Sequence, residues 1–215
     1  MLNLVVNREI AFSLLPLLHQ FDRKLLEQFF ADGLRLIHYD VMDHFVDNTV
    51  FQGEHLDELQ QIGFQVNVHL MVQALEQILP VYLHHQAVKR ISFHVEPFDI
   101  PTIKHFIAQI KQAGKQVGLA FKFTTPLVNY ERLVQQLDFV TLMSVPPGKG
   151  GQAFNSAVFN NLKQAHKYHC SIEIDGGIKL DNIHQIQDDV NFIVMGSGFI
   201  KLERWQRQQL LKTNQ

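Results

Sequence analysis

The sequence has few of the features that mark secreted, membrane-spanning or nucleic-acid-binding proteins. Its single cysteine, Cys170, excludes an internal disulfide and fits a reducing compartment. The apolar stretch at residues 10–18 is too short to span a bilayer and lacks the basic leader of a signal peptide. The 19 basic and 21 acidic side chains form no block of one sign. We therefore expect a cytoplasmic protein that binds no nucleic acid and no membrane, and that acts on a small molecule or pairs with another copy.

The length of 215 residues and the 46% apolar content favour one large hydrophobic core. Eight short apolar runs lie at residues 10–14, 34–41, 66–70, 91–95, 117–121, 139–145, 172–174 and 192–195. Stretches with helical apolar spacing lie between them, at residues 24–30, 74–84, 103–113, 130–137 and 158–168. This alternation predicts an α/β fold, a single-domain (β/α)8 TIM barrel over residues 1–215, with a C-terminal closing helix and a short polar tail.

The second run sets an imidazole and a carboxylate two residues apart. Because residues i and i+2 of a strand share a face, His38 and Asp40 point the same way. His69 ends the third run and Asp175 ends the seventh. Two imidazoles and two carboxylates form a plausible ligand set for a divalent ion such as zinc, iron or manganese.

Polar residues and methionines gather at or just after the ends of the runs. Enzymes with this barrel build their sites there, which provides an independent check on the fold. The residues are Ser13, His38, Asp40, His69, His94, Glu96, Lys122, Met143, Asp175 and Ser197. Asp40 and Asp175 would lie across the barrel mouth, where one could remove a proton from a carbon and the other could return one. His94 and Glu96 share a strand face and are either supporting groups, substrate contacts or a structural salt link.

Glycine clusters follow the last three runs. They allow backbone N–H groups to approach a phosphate closely, and they comprise Gly148, Gly150, Gly151, Gly176, Gly177 and Gly196, the last followed by Ser197. Lys149 either adds charge there or is simply solvated. Met42, Met71 and Met143 are either ordinary core residues or a soft apolar floor that limits water access to a reacting carbon.

The chain resembles the ribulose-phosphate 3-epimerase family from Ile10 to about Ile200. The most specific segments are IHYDVMD at 37–43, HLMV at 69–72, HVE at 94–96, PGKGGQ at 147–152 and DGGI at 175–178. The segment MDHFVDN at 42–48 departs from the family's Met-Asp-Gly-x-Phe-Val-Pro-Asn, being one residue shorter and without the glycine and proline. Phe12, Phe123 and Lys149 also differ from the usual residues.

The resemblance implies a (β/α)8 barrel that interconverts D-ribulose 5-phosphate and D-xylulose 5-phosphate with one divalent ion per subunit, of zinc, iron, manganese or cobalt. It implies that His38, Asp40, His69 and Asp175 are the ligands. Asp40 would remove the C3 proton to form a cis-enediolate, and Asp175 would return a proton on the opposite face. Ser13 and His69 would contact the substrate, and the glycines and Ser197 would bind its phosphate.

Three alternatives stay open at this point. A six-carbon ketose phosphate such as allulose 6-phosphate would undergo the same chemistry in a roomier pocket. A phosphate-binding barrel lyase would typically need a catalytic lysine near the acidic strand end, and no Asp-x-Lys pattern occurs at the second or third run. The third alternative is a catalytically silent barrel that serves as a binding or scaffold protein, although the sequence contains all four candidate ligands. A homo-oligomer is possible.

Overall fold

Eight parallel strands close into a barrel in the computed structural model, which describes residues 8–46, 48, 50–186 and 189–212. Each strand pairs with the next along the chain, and the eighth pairs with the first, so the predicted TIM barrel is confirmed. The strands are β1 (Glu9–Ser13), β2 (Leu36–Met42), β3 (Gln65–Met71), β4 (Val88–His94), β5 (Gln116–Phe121), β6 (Phe139–Met143), β7 (Ser171–Asp175) and β8 (Phe192–Met195).

Every predicted apolar run overlaps a strand, but some strand ends were wrong. β4 begins at Val88. The prediction placed its start at residue 91 because the charged Arg90 interrupts the apolar pattern. Arg90 is nevertheless buried, and its guanidinium stacks on the rings of Phe139 and Phe192 at 4.2 and 3.5 Å. β6 ends at Met143, two residues before the end of the predicted run. His38 and His69 lie within their strands and not at the ends.

Helices alternate with the strands on the outside of the barrel. They are α1 (Arg23–Ala31), α2 (Leu56–Ile62), α3 (Leu75–Ile78), α4 (Pro80–Leu83), α5 (Ile100–Gln112), α6 (Glu131–Val134), α7 (Val158–Ala165), α8 (Ser197–Ile200) and α9 (Arg204–Lys212). Short 3₁₀ turns lie at Leu15–Leu17, Leu127–Tyr130 and Ile183–Gln185. Within the described ranges, none of these helices has both the length and the apolar character needed to cross a bilayer.

The predicted helices are present, but several of their ends differ from the prediction; α7, for example, ends at Ala165 rather than at residue 168. The stretch at 74–84 is divided at Pro80, which lacks the N–H that would continue the helix. The stretch at 130–137 is helical only as far as Val134. Caps explain other boundaries: Asp22 accepts a hydrogen bond from Leu25 N–H at the start of α1. The predicted closing helix is α9, and the predicted polar tail at 213–215 lies outside the described residues.

The two faces of the strands bury different kinds of side chain. On β2, Ile37, Tyr39 and Val41 pack into the large core between the barrel and the helices. The alternate residues point into the barrel, where a small apolar cluster of Ala11, Leu36, Phe192 and Val194 lies apart from that core. Most of the other buried polar side chains also lie on these strands. The barrel interior is therefore polar towards its carboxyl end, where an active site is expected.

Asp32 joins α1 to the closing helix α9. Its carboxylate is buried and accepts hydrogen bonds from Arg204 Nε at 2.9 Å and from Arg207 Nε at 2.8 Å. We expect Asp32→Ala to lower the free energy of unfolding by about 2 kcal/mol, because it leaves the largely buried Arg207 without its partner. Urea titration would measure this, with Glu27→Ala, which removes the exposed ion pair with Arg23 on α1, as control. An equal loss in both variants would contradict a special role for Asp32.

Candidate active site

Four side chains from three strands meet inside the carboxyl end of the barrel. They are His38 and Asp40 on β2, His69 on β3 and Asp175 at the end of β7. One nitrogen or oxygen of each lies within 4.8 Å of the corresponding atom of all the others. The first three side chains are buried, whereas Asp175 is 14% exposed. As the i, i+2 spacing on β2 predicts, the imidazole of His38 and the carboxylate of Asp40 point into the same cluster.

The separations between these atoms fit a single divalent ion. His38 Nε2 lies 3.2 Å from Asp40 Oδ1, 3.6 Å from Asp175 Oδ2 and 3.2 Å from His69 Nδ1. His69 Nδ1 is 3.5 Å from each of the same two carboxylate oxygens. Four ligand atoms placed tetrahedrally about 2.1 Å from an ion would be about 3.4 Å apart. The donor set and its spacing thus match a metal centre.

The electrostatics of the cluster also favour a cation. Burial alone would lower the pKa of His38, but the facing carboxylates of Asp40 and Asp175 outweigh it and raise the pKa to about 10. Burial works against the charge on Asp40 as well, yet His38 and His69 hold the pKa of this carboxyl below its usual range. An environment that holds a proton this strongly also attracts a divalent ion, and the two compete for the same ring nitrogens.

A pocket opens above this cluster and contains most of the other predicted site residues. Ser13, Asp40 and Asp175 line it together with the methionines Met42, Met71 and Met143. The glycine-rich segments complete its mouth, with Gly148, Lys149, Gly150, Gly151, Gly176, Gly177, Gly196 and Ser197. His38 and His69 are not among the lining residues, because they lie beneath the pocket surface. Of the residues predicted to bind the metal or the substrate, these two histidines are the ones that do not line the pocket.

The loops after β2 and β6 touch each other beside the mouth. The side-chain amide of Asn48 donates a hydrogen bond to the carbonyl of Gly148 at 3.0 Å. Gly148 has φ +107°, and a Cβ there would approach the backbone carbonyl of Val46 to 3.0 Å. Asp43 holds the start of the first loop by accepting backbone hydrogen bonds from Phe45, Gln73 and Ala74. The shortened loop after β2 is thus tied to the glycine segment.

His94 and Glu96 form a buried pair next to the cluster. His94 Nδ1 lies 2.7 Å from Glu96 Oε2, and its ring stacks on that of His69 with centroids 5.1 Å apart. Burial lowers the pKa of His94 to about 4, so the Nδ1–H of a neutral imidazole donates a hydrogen bond to the Glu96 carboxylate. Glu96 also accepts from Lys122 N–H and Thr125 Oγ1, which together with His94 outweigh its burial and lower its pKa to about 2. This pair joins the ends of β4 and β5.

The sequence-based prediction missed a polar layer directly below the cluster. Glu173 on β7 is buried, accepts a hydrogen bond from Thr141 Oγ1 at 2.9 Å and faces Asn67 Nδ2 at 3.4 Å. Its position two residues before Asp175 is the same i, i+2 signal that identified His38 and Asp40. That spacing would have placed Glu173 on the inner face of β7.

The fold and the site together define a class of protein. A closed (β/α)8 barrel with a buried histidine and carboxylate cluster under a glycine-lined mouth is typical of a barrel enzyme, and the cluster is one that could hold a divalent metal ion.

Comparisons with known proteins identify the family. The model of the ribulose-phosphate 3 epimerase family matches residues 9–200. A ribulose-phosphate 3-epimerase of Mycoplasma genitalium is 65% identical over 205 residues, which cover 95% of this chain and 98% of that protein. A ribulose-phosphate 3-epimerase of Escherichia coli K12 is 33% identical over 165 residues, covering 73% of this chain and 72% of that protein. The chain belongs to the ribulose-phosphate 3-epimerase family, so the predicted family and enzyme class are confirmed.

More distant solved structures share the fold alone. A tryptophan synthase alpha-subunit variant of Pyrococcus furiosus superposes with a TM-score of 0.66 at 13% identity, covering 96% of both chains. A tryptophan synthase of Mycobacterium tuberculosis gives a TM-score of 0.67 at 11% identity, covering 97% of this chain and 91% of that chain. Both confirm the barrel over nearly the whole sequence.

Proposed function

We propose that this chain interconverts D-ribulose 5-phosphate and D-xylulose 5-phosphate by moving a proton at C3. The observation that carries the proposal is the cluster of His38, Asp40, His69 and Asp175 beneath the glycine-lined pocket. Family membership supports the substrate, since the relatives named above are ribulose-phosphate 3-epimerases. The pocket supports it as well, because two carboxylates, an apolar methionine floor and a glycine-rich rim provide for the proton transfer and for the phosphate.

The four clustered residues would hold one divalent ion. Such an ion would act as a Lewis acid that stabilises the negative charge developing on the substrate oxygens next to C3. The ligand set suits zinc, iron, manganese or cobalt. Removal of the metal with a chelator, followed by reloading with each of these ions, would measure which one restores turnover and at what stoichiometry. Full activity in metal-free protein would contradict this part of the proposal.

Asp40 and Asp175 would carry the proton. In the direction from ribulose 5-phosphate, the Asp40 carboxylate removes the C3 proton and leaves a planar enediolate. Asp175, starting as the acid, donates a proton to the opposite face of that carbon, and the roles exchange in the reverse direction. Met42, Met71 and Met143 would exclude water around the reacting carbon. Backbone N–H groups of Gly150, Gly151, Gly176, Gly177, Gly196 and Ser197 would bind the phosphate, with Gly148 shaping the same rim.

Proton NMR in heavy water tests the reaction directly. Metal-loaded protein is incubated with D-ribulose 5-phosphate, and the C3 hydrogen and the epimer are followed together. Deuterium at C3 with formation of D-xylulose 5-phosphate is the expected result. Allulose 6-phosphate in a parallel sample measures the preference between five and six carbons. Failure of both substrates to exchange, with metal bound, would overturn the proposed activity.

Ser13 would orient the base. Its Oγ donates a hydrogen bond to Asp40 Oδ2 at 2.8 Å, so that Asp40 Oδ1 is left facing the two histidines. We expect Ser13→Ala to lower kcat about tenfold, which corresponds to about 1.4 kcal/mol, the range of one hydrogen bond to a charged group. Steady-state kinetics would measure this, with Ser92→Ala as a control elsewhere in the barrel interior. Equal kcat values in the two variants would argue against an orienting role.

A further inference from the structure

The buried ring nitrogen of His38 that faces away from the cluster is paired with one carboxylate among the described residues. His38 Nε2 points at Asp40, Asp175 and His69, so Nε2 is the atom available to a metal. The other nitrogen, Nδ1, is buried and has no hydrogen-bond partner in the described part of the chain. The carboxylate atom paired with it is Glu173 Oε1, at 3.8 Å. No other carboxylate is paired with this side of the ring among the described residues.

The tautomer of His38 matters for metal binding. A neutral imidazole that offers the Nε2 lone pair must carry its proton on Nδ1. A buried N–H without an acceptor is unfavourable, and the alternative tautomer would place the proton on Nε2, where it blocks the ligand position. An acceptor beside Nδ1 therefore decides how readily this histidine can serve as a ligand.

The Glu173 side chain is held in place by residues outside the cluster of four candidate ligands. Thr141 on β6 and Asn67 on β3 contact its two oxygens, and both are buried. Arg90, buried on β4, contributes a favourable charge interaction with Glu173 from within the same layer. Only a small rotation of the His38 ring or of the Glu173 side chain separates the present 3.8 Å from hydrogen-bond distance.

We propose that Glu173 is a positioning residue, which accepts the Nδ1 proton of His38 and so fixes the tautomer and orientation in which Nε2 can bind the metal. The inference rests on the metal site proposed above. Glu173 lies one layer below the ligands and is not among the residues that line the pocket, so it acts through His38. Carboxylates in this relation to a ligating histidine typically change metal affinity by about 10–100-fold.

The test compares metal affinity in three proteins. Glu173→Gln keeps the size and the hydrogen bond from Thr141, and its NH2 group can donate to Asn67 Oδ1 if the Asn67 amide turns over, but it removes the charge. Glu173→Leu removes the acceptor altogether. Leu36→Val is the matched control, because it alters packing on the inner face of β2, two residues from His38. Zinc dissociation constants are measured by competition with a chromophoric chelator, and thermal unfolding of each metal-free protein is recorded beside them.

We expect zinc binding to weaken about tenfold in Glu173→Gln and about 100-fold in Glu173→Leu, with wild-type affinity in Leu36→Val. Nitrogen-15 NMR of the zinc-loaded proteins should show a protonated Nδ1 on His38 in the wild type and a shifted or broadened signal in Glu173→Gln. Wild-type affinity and an unchanged His38 signal in Glu173→Gln would overturn the positioning role, even if its thermal stability fell. Failure of the wild type itself to bind zinc or the other divalent ions would instead overturn the metal site.

Discussion

Asp175→Asn is expected to abolish epimerisation, lowering kcat/KM by at least about 10³-fold, because an amide can neither deliver nor accept the proton at C3. The variant should also bind the metal more weakly, since Asp175 Oδ2 is one of the four clustered atoms. Turnover must therefore be measured at saturating metal, so that loss of the acid is not confused with loss of the ion.

Exchange of the C3 hydrogen with heavy water distinguishes the roles of the two aspartates in this variant. Asp40 is intact in Asp175→Asn, so slow exchange at C3 of D-ribulose 5-phosphate should persist without formation of the epimer. Exchange at C3 of D-xylulose 5-phosphate, which needs Asp175 as the base, should be lost. Asp57→Asn, on the surface of α2, is the control and should retain full turnover. Near-normal epimerisation in Asp175→Asn would remove Asp175 from the mechanism.

The barrel was predictable because its parallel strands are buried on both sides. A parallel strand covered by helices is a continuous apolar run, and eight such runs are visible in the sequence. The apolar pattern does not mark the strand end where a buried charge interrupts the run, as Arg90 does on β4, because the burial of Arg90 depends on Phe139 and Phe192 from other strands. Short helices such as α2 were missed because seven residues give too little periodicity to recognise.

The metal cluster was predictable for a different reason. The inward-facing side chains in the carboxyl halves of the strands converge in a closed barrel, so polar residues there lie close together whatever their separation in sequence. Which nitrogen of His38 faces the cluster was not predictable, because it depends on the rotation of the ring among its neighbours. Asp43 shows the same limit: it lies in the most specific segment of the sequence, yet it accepts backbone hydrogen bonds instead of lining the pocket.

One of the two tightest backbone contacts at the pocket rim occurs at Gly177, and it is the basis of the second large prediction. Gly177 has φ +65°, and a Cβ there would lie 2.4 Å from the backbone nitrogen of Phe154. The neighbouring atoms belong to the backbone of Ala153 and Phe154, which cannot move aside as a flexible side chain can. Gly177→Ala must therefore push apart the loops that follow β6 and β7, which both contribute residues to the proposed phosphate site.

We expect Gly177→Ala to lower kcat/KM about 100-fold, mainly through a higher KM, because the displaced N–H groups no longer converge on the phosphate. Inhibition by inorganic phosphate should weaken in parallel, which reports on the phosphate site without the sugar. Gly114→Ala is the matched control, since Gly114 has a similar φ of +72° but nothing within 4 Å of its Cβ position. It should therefore reveal the cost of backbone strain alone. If both variants lose stability equally and keep wild-type KM, the rim near Gly177 does not bind the phosphate, and the role of the glycine segment after β7 is structural.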